Sequence, residues 1–510
     1  MNEQILSLIL LVPLVGAVLV MLLPDSGKLP AWTALLTTLA TLGLILHLPA
    51  HFLLGHVGFQ YEVDRAWIES PSIHYHVGVD GLSLWLIVLT GLLGPIGVVA
   101  SWKAIETRRK IFYSLFLVQQ TAMLGVFISL DLLLYYGFWE LSLVPMAVLI
   151  AFYGRKDGQK AAIRFFLFTF IPSAPLLVAI LWLYARTGTF DFALLQSVIS
   201  VGGLPAEALS WLSLAFLLAF AVKVPVFPLH GWLAGVFSEA PVALSMVVAG
   251  KLGLYSMLRF HVGLFPQQAH AIAPVMMVLA VIGILYGAAL ALVQRDFWRL
   301  AAFAALSHLS FATLGIYGFT ATGLDGAVYQ IVNHGITDGA LLVLLGVLEL
   351  RYGSSQIELY GGVAKRLPNA ATLFVVTGLS LIGLPLLNGF ISEFLILSGT
   401  FTGVSRSLAI AATVGVILSA AYLLNLVQKI FYGPPGELTL SKPAAGDLDA
   451  REWSALGVLV VLMLVLGVVP ALLLPAIEDG VSTPTERRLA SLVLSTPLAT
   501  TSLSTVGGQP

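Results

Sequence analysis

Apolar runs of about twenty residues recur along almost the whole chain, and the short segments between them hold nearly all of the charge. Each run is long enough to cross a hydrocarbon core of roughly 30 Å as a helix. The two-residue alternation of a membrane β-barrel is absent. Backbone groups in lipid must be satisfied within the segment, so the pattern predicts an all-α polytopic membrane protein. About 14 spans are expected, near 4–23, 31–54, 79–101, 111–129, 131–153, 161–185, 210–230, 241–262, 272–294, 299–318, 325–350, 371–400, 407–432 and 453–476. The opening run "ILSLILLVPLVGAVLVMLLP" has no basic segment before it and no small-residue cleavage site after it, so it reads as the first span rather than a signal peptide. The Ser/Thr/Pro-rich tail, 477–510, is expected to be poorly ordered.

Two spans are interrupted. Span 7 ends in "AVKVPVFPLHGW" (221–232) and span 12 contains "LSLIGLPLLNGFISEFLIL" (379–397). Proline removes a helix hydrogen bond, and each break has a charge nearby, Lys223 and Glu393. Paired broken helices in corresponding halves of a membrane chain point to an inverted-repeat transporter with its ion path at the breaks. The chain then divides into N-terminal helices 1–3 (1–110), a first five-helix repeat (111–262, helices 4–8), a second five-helix repeat (263–432, helices 9–13), a loop with helix 14 (433–476), and the tail.

Composition narrows the chemistry. The 510 residues are 58% hydrophobic and only 10% charged, against about 25% charged in a typical soluble domain. With no cysteine, disulfides and cysteine-ligated iron–sulfur clusters are excluded. A net charge of −1 carries no sign of nucleic-acid binding. G-x-G-x-x-G, a P-loop and a clustered metal-ligand motif are all missing from the sequence. Loops after odd-numbered spans hold 17 Lys/Arg, against four (Arg65, Arg186, Arg259, Arg406) after even ones. The positive-inside rule puts the odd loops in the cytoplasm and both termini on the other side.

Any chemistry therefore falls to ionisable groups inside the membrane: Glu140, Lys223, Lys251, His308, His334, Asp338 and Glu393. Each charge at mid-bilayer costs at least roughly 2.5–3.5 kcal/mol, so such groups face partners or water and mark pathways. Each also has a plainer explanation. Lys223 could snorkel or fix a helix contact, Glu140 could be a structural hydrogen-bonder, Lys251 could be a structural ion-pair partner, and each histidine could be a satisfied packing group. Asp338 follows His334 by four residues, on the same helical face, and could simply anchor that imidazole. Asp80 and Glu239 read as boundary or capping groups, and His230 as part of the broken-helix loop. At an assumed separation of about 7 Å and an effective dielectric near 20, Glu140 and Lys223 attract by roughly 2.4 kcal/mol. Opening and closing that pair could switch Lys223 between holding and releasing a proton.

As a set, "AVKVPVFPLHGWL…EAP", "YYGFWELSLVPM", "GVDGLSLWLIVLT", "SHLSFATLG", "VNHGITDGALLVLLG" and "IGLPLLNGFISEFLIL" resemble the M-type antiporter-like subunit of respiratory complex I, over about residues 75–455. The resemblance implies fourteen helices in two inverted repeats, and proton translocation driven by quinone reduction elsewhere in the complex. Glu140 matches the span-5 glutamate of that family, Lys223 the lysine of broken span 7, and Lys251 the bridging lysine of span 8. His308 and His334 match the histidines of the polar axis, and Glu393 the exit carboxylate. The same resemblance implies no cofactor on this chain, with NADH, FMN, iron–sulfur clusters and quinone on partner subunits, and L-type and N-type neighbours in a bacterial plasma or thylakoid-type membrane. Three departures stand out: "HGWLAGVFSEAP" lacks the usual Pro-Asp-Ala-His, "VVAGKLG" is about three residues short before Lys251, and Asp338 replaces a small or hydroxyl residue. The alternative is a subunit of a multisubunit Na⁺/H⁺ antiporter, which glutamate rather than lysine at position 393 disfavours.

Overall fold

A computed structural model of the chain describes residues 4–25, 27–56, 58–244, 251–441 and 446–481. Most of the expected tail lies outside the described residues, as do residues 245–250 of expected span 8. Among the described residues, twelve helices are long and apolar enough to cross a membrane. Expected span 12 is present as two short helices, Pro368–Leu381 and Asn388–Gly403. Of expected span 8, Lys251–Ser256 is α-helical and Met257–Val262 is a π-helical turn.

Burial sorts the spans by their chemistry. Span 10 (Phe297–Tyr317) and span 11 (Ala321–Tyr352) are 100% and 94% buried over their most apolar stretch, whereas span 6 (Gly158–Thr187) is 33% buried. Spans 10 and 11 are rich in Ala, Gly, Ser and Thr, which let helices approach closely where no hydrophobic force drives them together. Span 6 instead turns Ile163, Phe170, Ile171 and Val178 outward. Spans 10 and 11 form the centre, and they carry His308, His334 and Asp338.

Span starts are set sharply by aspartate caps. Asp131, Asp296 and Asp449 accept from backbone N–H groups in the first turns of spans 5, 10 and 14, which neutralises donors that a helix start leaves unpaired. Asp80 caps span 3 in a capping box with Ser83 and also takes a 2.5 Å contact from Arg259 Nη2. Its expected boundary role is thus observed, but Arg259 is no loop cation: it is buried on the π turn of span 8.

A β-hairpin fills the segment between spans 2 and 3. Strands β1 (Gln60–Ile68) and β2 (Ile73–Val79) pair antiparallel. His76 is gripped from both sides, Nδ1 by Asp191 at 2.6 Å and Nε2 by Glu62 at 2.8 Å. The His74 amide donates to Asp131 at 3.1 Å, so the hairpin holds the start of span 5. At the opposite end, Arg155 pairs with Glu349 at 2.8 Å and lies over Trp298, Arg351 pairs with Glu452 at 2.6 Å, and Lys103 with Asp449 at 2.9 Å. Residues from loops after odd spans meet at one end, and those from loops after even spans at the other.

Candidate functional site

Span 7 stops at Lys223 for a local reason. Pro225 has no N–H for the Ala221 carbonyl, which accepts from Val226 instead at 2.8 Å. That shift strands the Val222 carbonyl, and the Trp232 indole reaches back to it at 2.9 Å. The chain resumes as a short helix, Leu233–Glu239. Lys223 is left buried at the last helical position. Its Nζ lies 5.2 Å from the Trp139 ring centroid, 5.7 Å from that of Phe165, and 3.5 Å from Ser142 Oγ. Glu140, next to Trp139, acts on Lys223 as a nearby charge, without an ion-pair contact among the described residues, and its Oε1 is buried with no hydrogen-bond partner. Span 5 itself bends at Ser142, dividing into Leu132–Leu141 and Leu143–Tyr153, an interruption the hydropathy pattern does not reveal.

Span 8 packs directly on this break. A Cβ at Gly253 would lie 2.8 Å from the Val224 nitrogen, so glycine is what allows the approach. Two residues earlier, Lys251 is buried beside Gln119 and Gln120 of span 4, around a cavity of about 10 Å³. Its charge neighbour is Asp338. The same carboxylate acts on His308, and its Oδ2 lies 3.0 Å from His334 Nε2. That last contact is not aligned as a hydrogen bond. Asp338 is therefore shared by Lys251, His334 and His308. It does more than anchor one imidazole.

The second break holds the far end. His308 Nδ1 is 3.2 Å from Glu393 Oε1 and His308 Nε2 is 3.3 Å from the Tyr422 hydroxyl. Both His308 and Glu393 are buried. The six residues expected to carry the chemistry thus fall into three groups: Glu140 with Lys223, Lys251 with His334 through Asp338, and His308 with Glu393. Alternating acids and bases at hydrogen-bonding or charge-coupling range, each able to change protonation state, can pass protons in steps. Histidine serves because it titrates nearest neutrality.

Sequence reading passed over several members of the polar interior. His261 bonds Ser213 Oγ at 2.9 Å and Tyr317 OH at 3.1 Å. Asn333 and Asn388 pair at the second break. Neutral amides carry no charge penalty to flag them, although both asparagines stand inside the quoted motifs. The expected roles of Glu239 and His230 have structural counterparts. Glu239 accepts from the Asp157 amide at 2.8 Å, and His230 stacks on Phe227 in the loop after the break.

Comparison with known proteins places this geometry. Residues 129–419 match the family model described as "NADH:quinone oxidoreductase/Mrp antiporter, TM", and residues 8–130 match "NADH-ubiquinone oxidoreductase chain 4, amino terminus". NADH-quinone oxidoreductase subunit M of Rhodobacter capsulatus is 36% identical, covering 94% of this chain and 96% of its own. The subunit M of Escherichia coli K12 is 36% identical, covering 92% and 95%. A chain of respiratory complex I from Thermus thermophilus superposes with a TM-score of 0.85 at 31% identity, over 95% of this chain and 99% of that one. A chain of the Mrp complex from Dietzia shares the fold at 21% identity, with a TM-score of 0.80 over 94% of this chain and 52% of that one. With matching models from residue 8 to residue 419 and relatives above 30% identity over nearly their whole length, the chain belongs to the subunit M family of NADH:quinone oxidoreductase membrane proteins.

Proposed function

We propose that the chain is a proton-translocating membrane subunit of a quinone-reducing complex, and that protons pass along Glu140, Lys223, Lys251, His334 and Glu393, with His308 bonded to Glu393 at the exit. The observation that supports this most is the coincidence of buried ionisable groups with both helix breaks, joined through Asp338 at the centre of the bundle. Lys223 at the first break holds and releases the proton, with Glu140 setting its affinity as their separation changes. Lys251 and His334 carry it through the middle, and Glu393 hands it out.

Moving one charge against 100 mV costs about 2.3 kcal/mol, and a proton path supplies no energy of its own. The driving force comes from redox chemistry on partner subunits, where NADH or ferredoxin, flavin, iron–sulfur clusters and quinone belong. L-type and N-type antiporter-like subunits flank this chain in the same membrane. Both termini lie on the non-cytoplasmic side, as the Lys/Arg asymmetry implies, and residues 111–262 and 263–432 form the two inverted repeats.

The test is Lys223→Ala in membranes that oxidise NADH or ferredoxin. Proton translocation is expected to fall severalfold with the complex assembled. Unaltered translocation overturns the reading, and translocation that depends on a sodium gradient replaces it with cation/proton antiport.

A further inference from the structure

The second break is held together by neutral side chains. Asn333 of span 11 donates through Nδ2 to the Asn388 carbonyl at 2.6 Å and to Ser392 Oγ at 3.0 Å. Its Oδ1 accepts from Asn388 Nδ2 at 2.9 Å, which makes the pairing reciprocal. Asn388 Oδ1 accepts from Ser380 Oγ at 2.6 Å, so the same asparagine ties the end of the first half-helix to the start of the second. Ser392 donates onward to Gln330 Oε1, and Gln330 Nε2 reaches the His308 carbonyl at 3.4 Å. Asn333, Ser380, Asn388 and Ser392 are all fully enclosed by protein.

Beside this ladder lies a cavity of about 10 Å³. Its walls include His308, His334 and Glu393 together with Asn333, Thr337 and Ser380. A space of roughly 10–15 Å³ takes one water when at least two polar partners are present. The path needs a carrier here. Neither ring nitrogen of His334 is hydrogen-bonded to Glu393, whose Oε1 is taken by His308 instead. Amides and hydroxyls both donate and accept, and none of them titrates near neutral pH. They can orient a water without competing for its proton.

We propose that Asn333, fixed in place by Asn388, is a positioning element that with Thr337 and Ser380 holds one proton-carrying water between His334 and Glu393. The inference rests on the proton path proposed above. A proton leaves a His334 ring nitrogen for the water as the water releases one to the Glu393 carboxylate, so the water is returned unchanged. The Asn333–Asn388 pair keeps the two half-helices of span 12 at the spacing this transfer requires. Thr337, whose Oγ1 is 3.5 Å from both Asn388 Oδ1 and Ser380 Oγ, is the hydroxyl that lines the cavity from span 11.

Asn388→Leu and Thr337→Val in the intact complex, reconstituted in vesicles, test this. Thr337→Val keeps shape and removes only the hydroxyl, which guards against a folding failure at Asn388. The readouts are protons moved per NADH oxidised and the infrared carboxyl band of Glu393, assigned by its loss in Glu393→Gln. Both variants are expected to lower proton yield severalfold and to shift the band, and Asn388→Ser to recover part of each. An unshifted band in both variants overturns the proposal, whether or not proton yield falls, because a purely structural role would leave Glu393 hydrogen bonding alone. Should Lys223→Ala abolish pumping while Asn388→Leu and Thr337→Val leave it intact, the positioning role alone fails. If Lys223→Ala pumps normally, the path itself is wrong.

Discussion

His308 Nδ1 lies 3.2 Å from Glu393 Oε1, joining an unbroken span at the centre of the bundle to the second half of a broken one. The contact is enclosed by protein on both sides. Removing one member of a buried, paired set leaves the other uncompensated, at a cost of about 3–5 kcal/mol. Glu393→Gln keeps the shape and one acceptor while losing the charge. It is expected to cut the proton yield per electron by more than half, with quinone reduction continuing. Proton uptake by inside-out vesicles during NADH oxidation measures this, and an unchanged yield would count against Glu393 as a carrier.

At the first break, Trp139 is the surface on which the Lys223 ammonium rests. A desolvated cation over an indole gains about 2 kcal/mol. Trp139→Leu is expected to weaken the hold on charged Lys223 and slow proton transfer several-fold, whereas Trp139→Phe retains part of the rate. Pre-steady-state proton release in assembled complexes separates the two, and equal rates in both variants would remove the ring from the mechanism.

Asp338 is the carboxylate shared by Lys251 and His334. Asp338→Asn is expected to reduce proton translocation at least as much as loss of Lys251, because it removes the charge common to both. The double variant with Lys251→Met should then be no worse than Asp338→Asn alone. Additive losses, measured in the same vesicles, would show that the two residues act independently.

The hairpin offers a pH test outside the membrane. Burial works against a charged His76, but the hydrogen bonds its ring donates to Asp191 and Glu62 outweigh it and raise its pKa to about 9. A group whose folded pKa lies above its unfolded value of about 6.5 stabilises the fold fully below that value, and the contribution disappears as pH rises through the folded value. Thermal stability of the complex is expected to fall between pH 6.5 and about 9, and His76→Gln to flatten that slope. A wild-type slope retained in His76→Gln would assign the titration elsewhere.

Gly389 is the close contact inside span 12: a Cβ there would sit 1.9 Å from the Ser380 carbonyl oxygen. Backbone cannot yield as a side chain can, and overpacking of this kind costs typically about 1–3 kcal/mol. Gly389→Ala is expected to spread the two half-helices and lower both thermal stability and proton yield. A melting temperature identical to wild type would show that the junction has more slack than its geometry indicates.

The membrane bundle, the interruptions at Pro225 and Pro385, and the seven ionisable groups within the spans were legible because each is a violation of a simple rule. An apolar run admits few charges, and a proline leaves the carbonyl one turn back without its donor. Lys223, Lys251, Glu140 and Glu393 stood out against apolar neighbours such as "LLAFAV" and "FLIL" for that reason alone. The π turn that buries Arg259 and the hairpin holding Asp131 left no such mark. Arg259 falls near a span boundary where cations are common, and the strands are short segments between stronger signals.

The sequence by itself determined which groups must live in the membrane and where its helices must break, because solvation cost and backbone hydrogen bonding are local properties. Only the tertiary structure decided who meets whom. Asp338 lies 87 positions from Lys251 in the chain, yet acts on it from a helix packed directly against its own. Asn388 reaches Asn333 only because span 12 folds back against span 11. Partnership between distant residues is set by helix packing, and packing in lipid depends on shape and small residues along whole helices rather than on any short motif.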